Sequence, residues 1–138
     1  TLPLRLSAGL SVRSPGDGTP RILVADDDKE IRRQIEDRLH AKGYEVRTET
    51  DGVRVLEALR SEKFSGMILG IGIPSLDGMD VLRQIRKKDQ QIPIIIVSAP
   101  GTRDSAVRAI GLGAQAYLLK PFDVEELHQV MESWFRTV

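Results

Sequence analysis

Residues 22–28 read Ile22-Leu23-Val24-Ala25-Asp26-Asp27-Asp28, a short apolar run that stops abruptly on three carboxylates. An apolar run this short, without polar alternation, predicts a strand buried on both faces of a parallel sheet. The carboxylates follow a different logic. Asp28 is suited to cap a helix N-terminus, where its side chain can accept from free backbone N–H groups. Asp26 and Asp27 repel each other unless a proton or a hard, oxygen-seeking cation such as Mg²⁺ neutralises them. The stretch therefore predicts a strand that delivers acidic side chains to the rim of a sheet and passes directly into a helix.

Four more short runs share the strand character: Glu45–Thr48, Met67–Leu69, Ile94–Val97 and Ala116–Leu119. Helical spacing separates them. Ile31, Ile35 and Leu39 recur every four residues; Val81, Leu82 and Ile85 share a face; Val124, Leu127, Val130, Met131 and Trp134 form an apolar stripe. Two further helices are expected over about Gly52–Arg60 and Thr102–Ile110. Glu30 suits the positive end of the first helix, and Gly43 suits its termination just after Lys42. Strands alternating with helices predict an α/β fold, a doubly wound parallel sheet of five strands, whose ligands gather beyond the carboxyl ends of the strands.

Composition bounds the function classes. The chain has 138 residues, 41% hydrophobic and 29% charged, enough for one core. Twenty Lys and Arg balance twenty Asp and Glu, so no overall field favours nucleic acid or an anionic membrane. There is no cysteine, which excludes thiolate chemistry and Cys-based zinc sites, and His40 and His128 lie far apart. No basic stripe combines with aromatics, and no run approaches a membrane span, so the expectation is no nucleic-acid contact, no membrane anchor and a cytoplasmic setting. Residues 7–20, rich in Ser, Gly and Pro, read as a linker, with the folded domain beginning near Arg21.

The other strand ends add two polar groups to the same rim: Ser98 closes the fourth strand, and Lys120-Pro121 follows the fifth. Each alone is commonplace. Together with ILVADDD at Ile22–Asp28, IPSLDG at Ile73–Gly78 and GAQAYLLKPF at Gly113–Phe122, they resemble the response-regulator receiver family. The resemblance runs from about Arg21 to Phe135 and implies a flavodoxin-like (βα)5 receiver domain over residues 21–138, a regulatory domain and not an enzyme. Position by position it implies Mg²⁺ ligation by Asp26, Asp27 and the backbone of Gly72. It makes Ser98 the hydroxyl that follows a phosphoryl group, Tyr117 the aromatic switch and Lys120 the phosphate-contacting lysine. Pro121 matches a proline usually preceded by a cis peptide.

One position departs from that pattern. The resemblance places the phosphoacceptor Asp on Gly70, within Leu69-Gly70-Ile71-Gly72-Ile73-Pro74. Glycine carries no nucleophile, so phosphorylation in the usual way is not expected. Mg²⁺ binding is expected to be weak, because one carboxylate ligand is missing. Ser75, Asp77 and Asp28 are conceivable surrogates, but their directions are expected to be wrong.

Three functions follow. The first is a pseudo-receiver that binds a histidine kinase or another signalling domain, or a second copy of itself, through the last two helices near Ser98–Arg108 and Tyr117–Trp134. The second is an ordinary phosphoacceptor in which Asp was changed to Gly deliberately. The third is an anionic nucleotide site using Arg103 and Arg108. Upstream, Thr1-Leu2-Pro3-Leu4 resembles the end of a histidine-kinase ATP-binding domain, so residues 1–20 read as a linker or the end of an upstream domain, the arrangement of a hybrid histidine kinase.

Overall fold

Alternating side chains along each apolar strand point to opposite faces of a sheet, and here both faces are covered. The computed structural model describes residues 19–99 and 103–135. The upstream residues read above as a linker or a kinase-domain end lie outside this range up to residue 18. The described elements run β1 (Arg21–Ala25), α1 (Lys29–Ala41), β2 (Glu45–Glu49), α2 (Gly52–Ser61), β3 (Gly66–Gly70), α3 (Gly78–Lys88), β4 (Ile94–Ser98), α4 (Arg103–Gly111), β5 (Ala116–Leu119) and α5 (Val124–Trp134). The strands form one parallel sheet of five in the order β2-β1-β3-β4-β5. This is the expected doubly wound architecture, with the switch in strand order between β1 and β3 opening a crevice at their carboxyl ends.

Leu23, Ala25, Met67, Leu69, Ile94 and Ile96 pack one face against Val55, Val81, Leu82 and Ala109 of α2, α3 and α4. Ile22, Val24, Ile68, Ile95, Val97 and Leu118 pack the other against Ile35, Leu39, Leu127 and Met131 of α1 and α5. Each of the fully buried Ile and Leu side chains contributes about 1.5–3 kcal/mol relative to exposure. Aspartates start four of the helices: Asp28, Asp51, Asp77 and Asp123 each accept from backbone N–H groups of the first turn. Gly43 ends α1 at φ +92°, a conformation costly for other residues.

Two expectations need correcting. β2 is half-buried along its whole length, because it is an edge strand and not a doubly covered one. Its charges are held instead in a network in which Arg21 pairs with Glu45 and Glu62, and Arg47 with Glu49 and Glu62; a charged edge resists pairing with another chain. The stripe on α5 also divides. Leu127, Met131 and the capping residue Phe135 are buried, whereas Val124 and Trp134 are exposed, because the sheet covers a narrower arc than the apolar spacing spans.

Candidate functional site

β1 ends at Ala25 and hands the chain to α1 through three aspartates with different fates. Asp28 is consumed as the α1 cap, its Oδ1 accepting from Glu30 N at 2.9 Å and Ile31 N at 3.3 Å. Asp27 is exposed. Asp26 is buried, its residue only 2% exposed, at the crevice between β1 and β3. Its Oδ1 accepts from Asp28 N at 2.9 Å.

The Lys120 ammonium, carried in from the end of β5, reaches Asp26 across 94 residues of sequence. Nζ donates to Oδ1 at 3.1 Å and stands 3.0 Å from Oδ2. The second contact is an ion pair without hydrogen-bond geometry, so Oδ2 is buried with no hydrogen bond of its own. Burial pushes the Asp26 carboxyl above the ordinary carboxylate value, and the charge of Asp27 adds to this; the Asp28 N–H and Lys120 pull the other way.

Gly70 closes β3 opposite Val97 of β4, and its φ lies outside the left-handed region. A Cβ there would stand 2.7 Å from Asp26 Oδ2 and 3.1 Å from its Cγ. The Asp26 carboxylate thus leans into the space that a side chain at position 70 would enter. The loop that follows is tight: Gly78 N donates to Ile71 O at 2.9 Å, and a Cβ on Gly78 would come within 2.3 Å of Gly70 O. Gly72 is exposed on this loop with open space about it.

The structure therefore brings Asp26, Lys120 and Gly70 together. Ser98 is buried at the end of β4, and its carbonyl accepts from Lys120 N at 2.7 Å, tying the two strand ends. Lys120-Pro121 is a cis peptide. Tyr117 pairs in register with Ile96 and packs half-buried against the core on the α2–α4 face. The surrogate carboxylates are engaged elsewhere: Asp77 caps α3, accepting from Asp80 N, and Asp28 caps α1. Ser75 sits exposed at φ 71°. Arg108 is exposed on α4, and the side chain of Arg103 lies outside the described residues.

One contributor was not anticipated. Arg32, on the first turns of α1, donates from its guanidinium to Asp26 O at 2.7 Å and so braces the turn that carries the acidic pair. Its position one helical turn after Asp28 was the available signal, but an arginine there has no distinctive pattern.

Among the described residues no three acidic or histidine side chains converge on a point suited to a metal ion. A divalent cation here would have Asp26 and Asp27 as its carboxylates and fill most of its shell with water, which suits Mg²⁺ but holds it weakly.

The sequence matches the response regulator receiver domain family over residues 22–132. The response regulator MprA of Mycobacterium ulcerans (strain Agy99) is 37% identical over 116 residues, 84% of this chain and 50% of that protein. MprA of Mycobacterium avium (strain 104) is 36% identical, with 84% and 51% covered. The chain spans about half the length of these curated relatives. Among solved structures, the receiver domain of NtrX from Brucella abortus superposes with a TM-score of 0.77 at 33% identity, covering 81% of this chain and 95% of that one. The receiver domain of the Francisella response regulator 1452 gives 0.76 at 30% identity, covering 83% and 95%.

Proposed function

The chain belongs to the response regulator receiver domain family, a regulatory domain of two-component signalling, and within it we propose that this chain is a pseudo-receiver acting by protein–protein interaction and not by accepting a phosphoryl group. The observation that carries the reading is Gly70. It occupies the end of β3 beside Asp26 and Lys120, and transfer to a receiver needs a carboxylate nucleophile at that point. Asp28 and Asp77 are committed to capping helices, which argues against either replacing it.

In this reading Asp26, Asp27 and the Gly72 carbonyl would hold Mg²⁺ weakly. When bound, the ion would offset negative charge at the rim. Lys120 is held instead by Asp26, so its charge is neutralised without a phosphoryl group. Signals would pass through the face formed by α4, β5 and α5, with Ser98 and Tyr117 as the switch pair, to a histidine kinase or another signalling domain, or to a second copy. Exposed Val107, Ile110 and Leu119 on α4 and β5 support this face as a contact surface. The setting is cytoplasmic in this reading. Among the described residues no helix is long and apolar enough to cross a membrane.

A second reading is that Asp naturally stands at position 70 and was changed. One observation favours it: the backbone there suits any L-residue, and the Asp26 carboxylate in the way is the movable end of a side chain. Sequencing the native gene at this codon decides it.

The functional test is incubation with acetyl phosphate and Mg²⁺, followed by intact-mass measurement, beside a Gly70→Asp variant. The chain itself is expected to gain no phosphoryl mass and the variant to gain one. A phosphoryl adduct on the unaltered chain would overturn the pseudo-receiver reading.

A further inference from the structure

The backbone of Asp26 is pinned on both sides. Its N–H donates to Glu49 O at 3.3 Å, and its carbonyl accepts from the Arg32 guanidinium at 2.7 Å. The carboxylate therefore projects into the crevice from a fixed point. Oδ1 already accepts twice, from Asp28 N and from Lys120 Nζ. Oδ2 is buried without a hydrogen bond and faces the space beside Gly70. A carboxylate oxygen buried in this way is costly and calls for a donor or a cation.

Lys120 is the cation at hand. Its Nζ lies 3.0 Å from Oδ2, and among the described residues Asp26 is its one ion-pair partner. β3 ends on Gly70, so no side chain there can take the ammonium in place of Asp26. The two charges are not equally free. Asp26 is closed in, whereas Lys120 keeps part of its side chain in water on a flexible four-carbon stem and can turn outward to be hydrated. A divalent cation drawn to Asp26 and the exposed Asp27 meets a like charge already seated on the carboxylate it needs. One buried carboxylate thus faces two cations that repel each other.

We propose that Lys120 is a built-in competitor for divalent cations: Asp26 holds either the Lys120 ammonium or, together with Asp27, a divalent cation, and the exchange releases the end of β5. Release reaches beyond the rim, because Lys120 N donates to Ser98 O at 2.7 Å and the adjoining Leu119 is exposed on the face proposed for partners. The competition rests on the reading of Asp26 and Asp27 as the carboxylates of a weak Mg²⁺ site, and not on whether the chain accepts phosphate.

The test titrates MgCl₂ at constant ionic strength into the isotope-labelled chain, following backbone amides and the Lys120 Cε resonance. In the parent, Mg²⁺ is expected to move the Asp27 amide and Lys120 Cε together. Lys120→Met, which keeps the apolar stem, is expected to bind Mg²⁺ about tenfold more tightly, since a charged contact no longer has to be broken. Lys63→Met removes an exposed charge in the turn before β3 and is expected to bind as the parent does. Asp26→Asn is expected to lose binding. Circular dichroism reports folding; if Lys120→Met unfolds, Lys120→Gln takes its place, and Lys120 Cε in the parent tests the exchange without any substitution. Three outcomes overturn the proposal: no gain in affinity for the folded Lys120 variant, an equal gain for Lys63→Met, or Mg²⁺ moving the Asp27 amide while Lys120 Cε stays. None of these touches the pseudo-receiver reading, just as a phosphoryl adduct on the unaltered chain would overturn that reading and not this one.

Discussion

Gly70→Ala sets two effects of known sign against each other. At a position whose backbone suits any L-residue, replacing Gly by Ala stabilises by about 0.4–1 kcal/mol, because the unfolded chain loses freedom. Against this, the new methyl would stand 2.7 Å from Asp26 Oδ2 and 3.2 Å from Ala25 O. The strand carbonyl has little room to give, so the carboxylate must rotate. Rotation breaks its contacts with Lys120 Nζ at 3.1 and 3.0 Å, in a site where the Asp26 side chain is 3% exposed and that of Lys120 21%. A hydrogen bond to a charged group contributes about 1.5–3 kcal/mol. The electrostatic loss exceeds the entropic gain, and the variant is expected to be about 1–2 kcal/mol less stable. Urea denaturation followed by circular dichroism measures this. The cause is tested by repeating the substitution in a Lys120→Ala background, where the pair is already gone and the cost is expected to fall by about 1 kcal/mol, in the range typical of contacting groups. If Gly70→Ala is as stable as the parent, or costs the same in both backgrounds, the carboxylate does not occupy the space beside position 70 as argued.

Arg86 donates to the carbonyls of Gly113, Asp89 and Ile92 and to Gln115 Oε1, tying the end of α3 to the turns before β4 and β5. Arg86→Ala is expected to cost about 2–4 kcal/mol in denaturant unfolding, and Lys to recover less than half, since one ammonium cannot span those acceptors. Tyr44 donates to Phe135 O at 2.6 Å in a buried position, with the two rings edge to face. Tyr44→Phe should lower stability by about 1–2 kcal/mol, and an unchanged melting temperature would show that the end of α5 is held without this bond. Burial raises the Asp26 pKa above its unfolded value, so its contribution to stability is fully present below the unfolded value and is lost as pH rises through the raised one. Parent minus Asp26→Asn stability should therefore increase as the solution is acidified from neutrality, and a flat difference would contradict the assigned direction.

What could be read from the chain alone was set by near neighbours. The Asp28 cap depends on amides two and three residues ahead, the left-handed Gly43 on the helix it ends, and the five strands on runs of four or five side chains. The motifs with family resemblance placed Gly70, Ser98 and Lys120 at strand ends, because in an alternating α/β chain the strand ends necessarily share one rim.

The remainder depends on which element lies beside which. The half-burial of β2 follows from its place at the sheet edge, and the exposure of Val124 and Trp134 from how much of α5 the sheet covers; neither is a property of local spacing. The inward lean of Asp26 depends on a lysine 94 residues away and on the absence of a side chain at the end of a neighbouring strand. Residue types and order determined that acid, lysine and glycine meet at one rim. Only the tertiary structure, by packing β1 between β2 and β3 and closing the crevice over a buried carboxylate, decided that Asp26 faces Lys120 there.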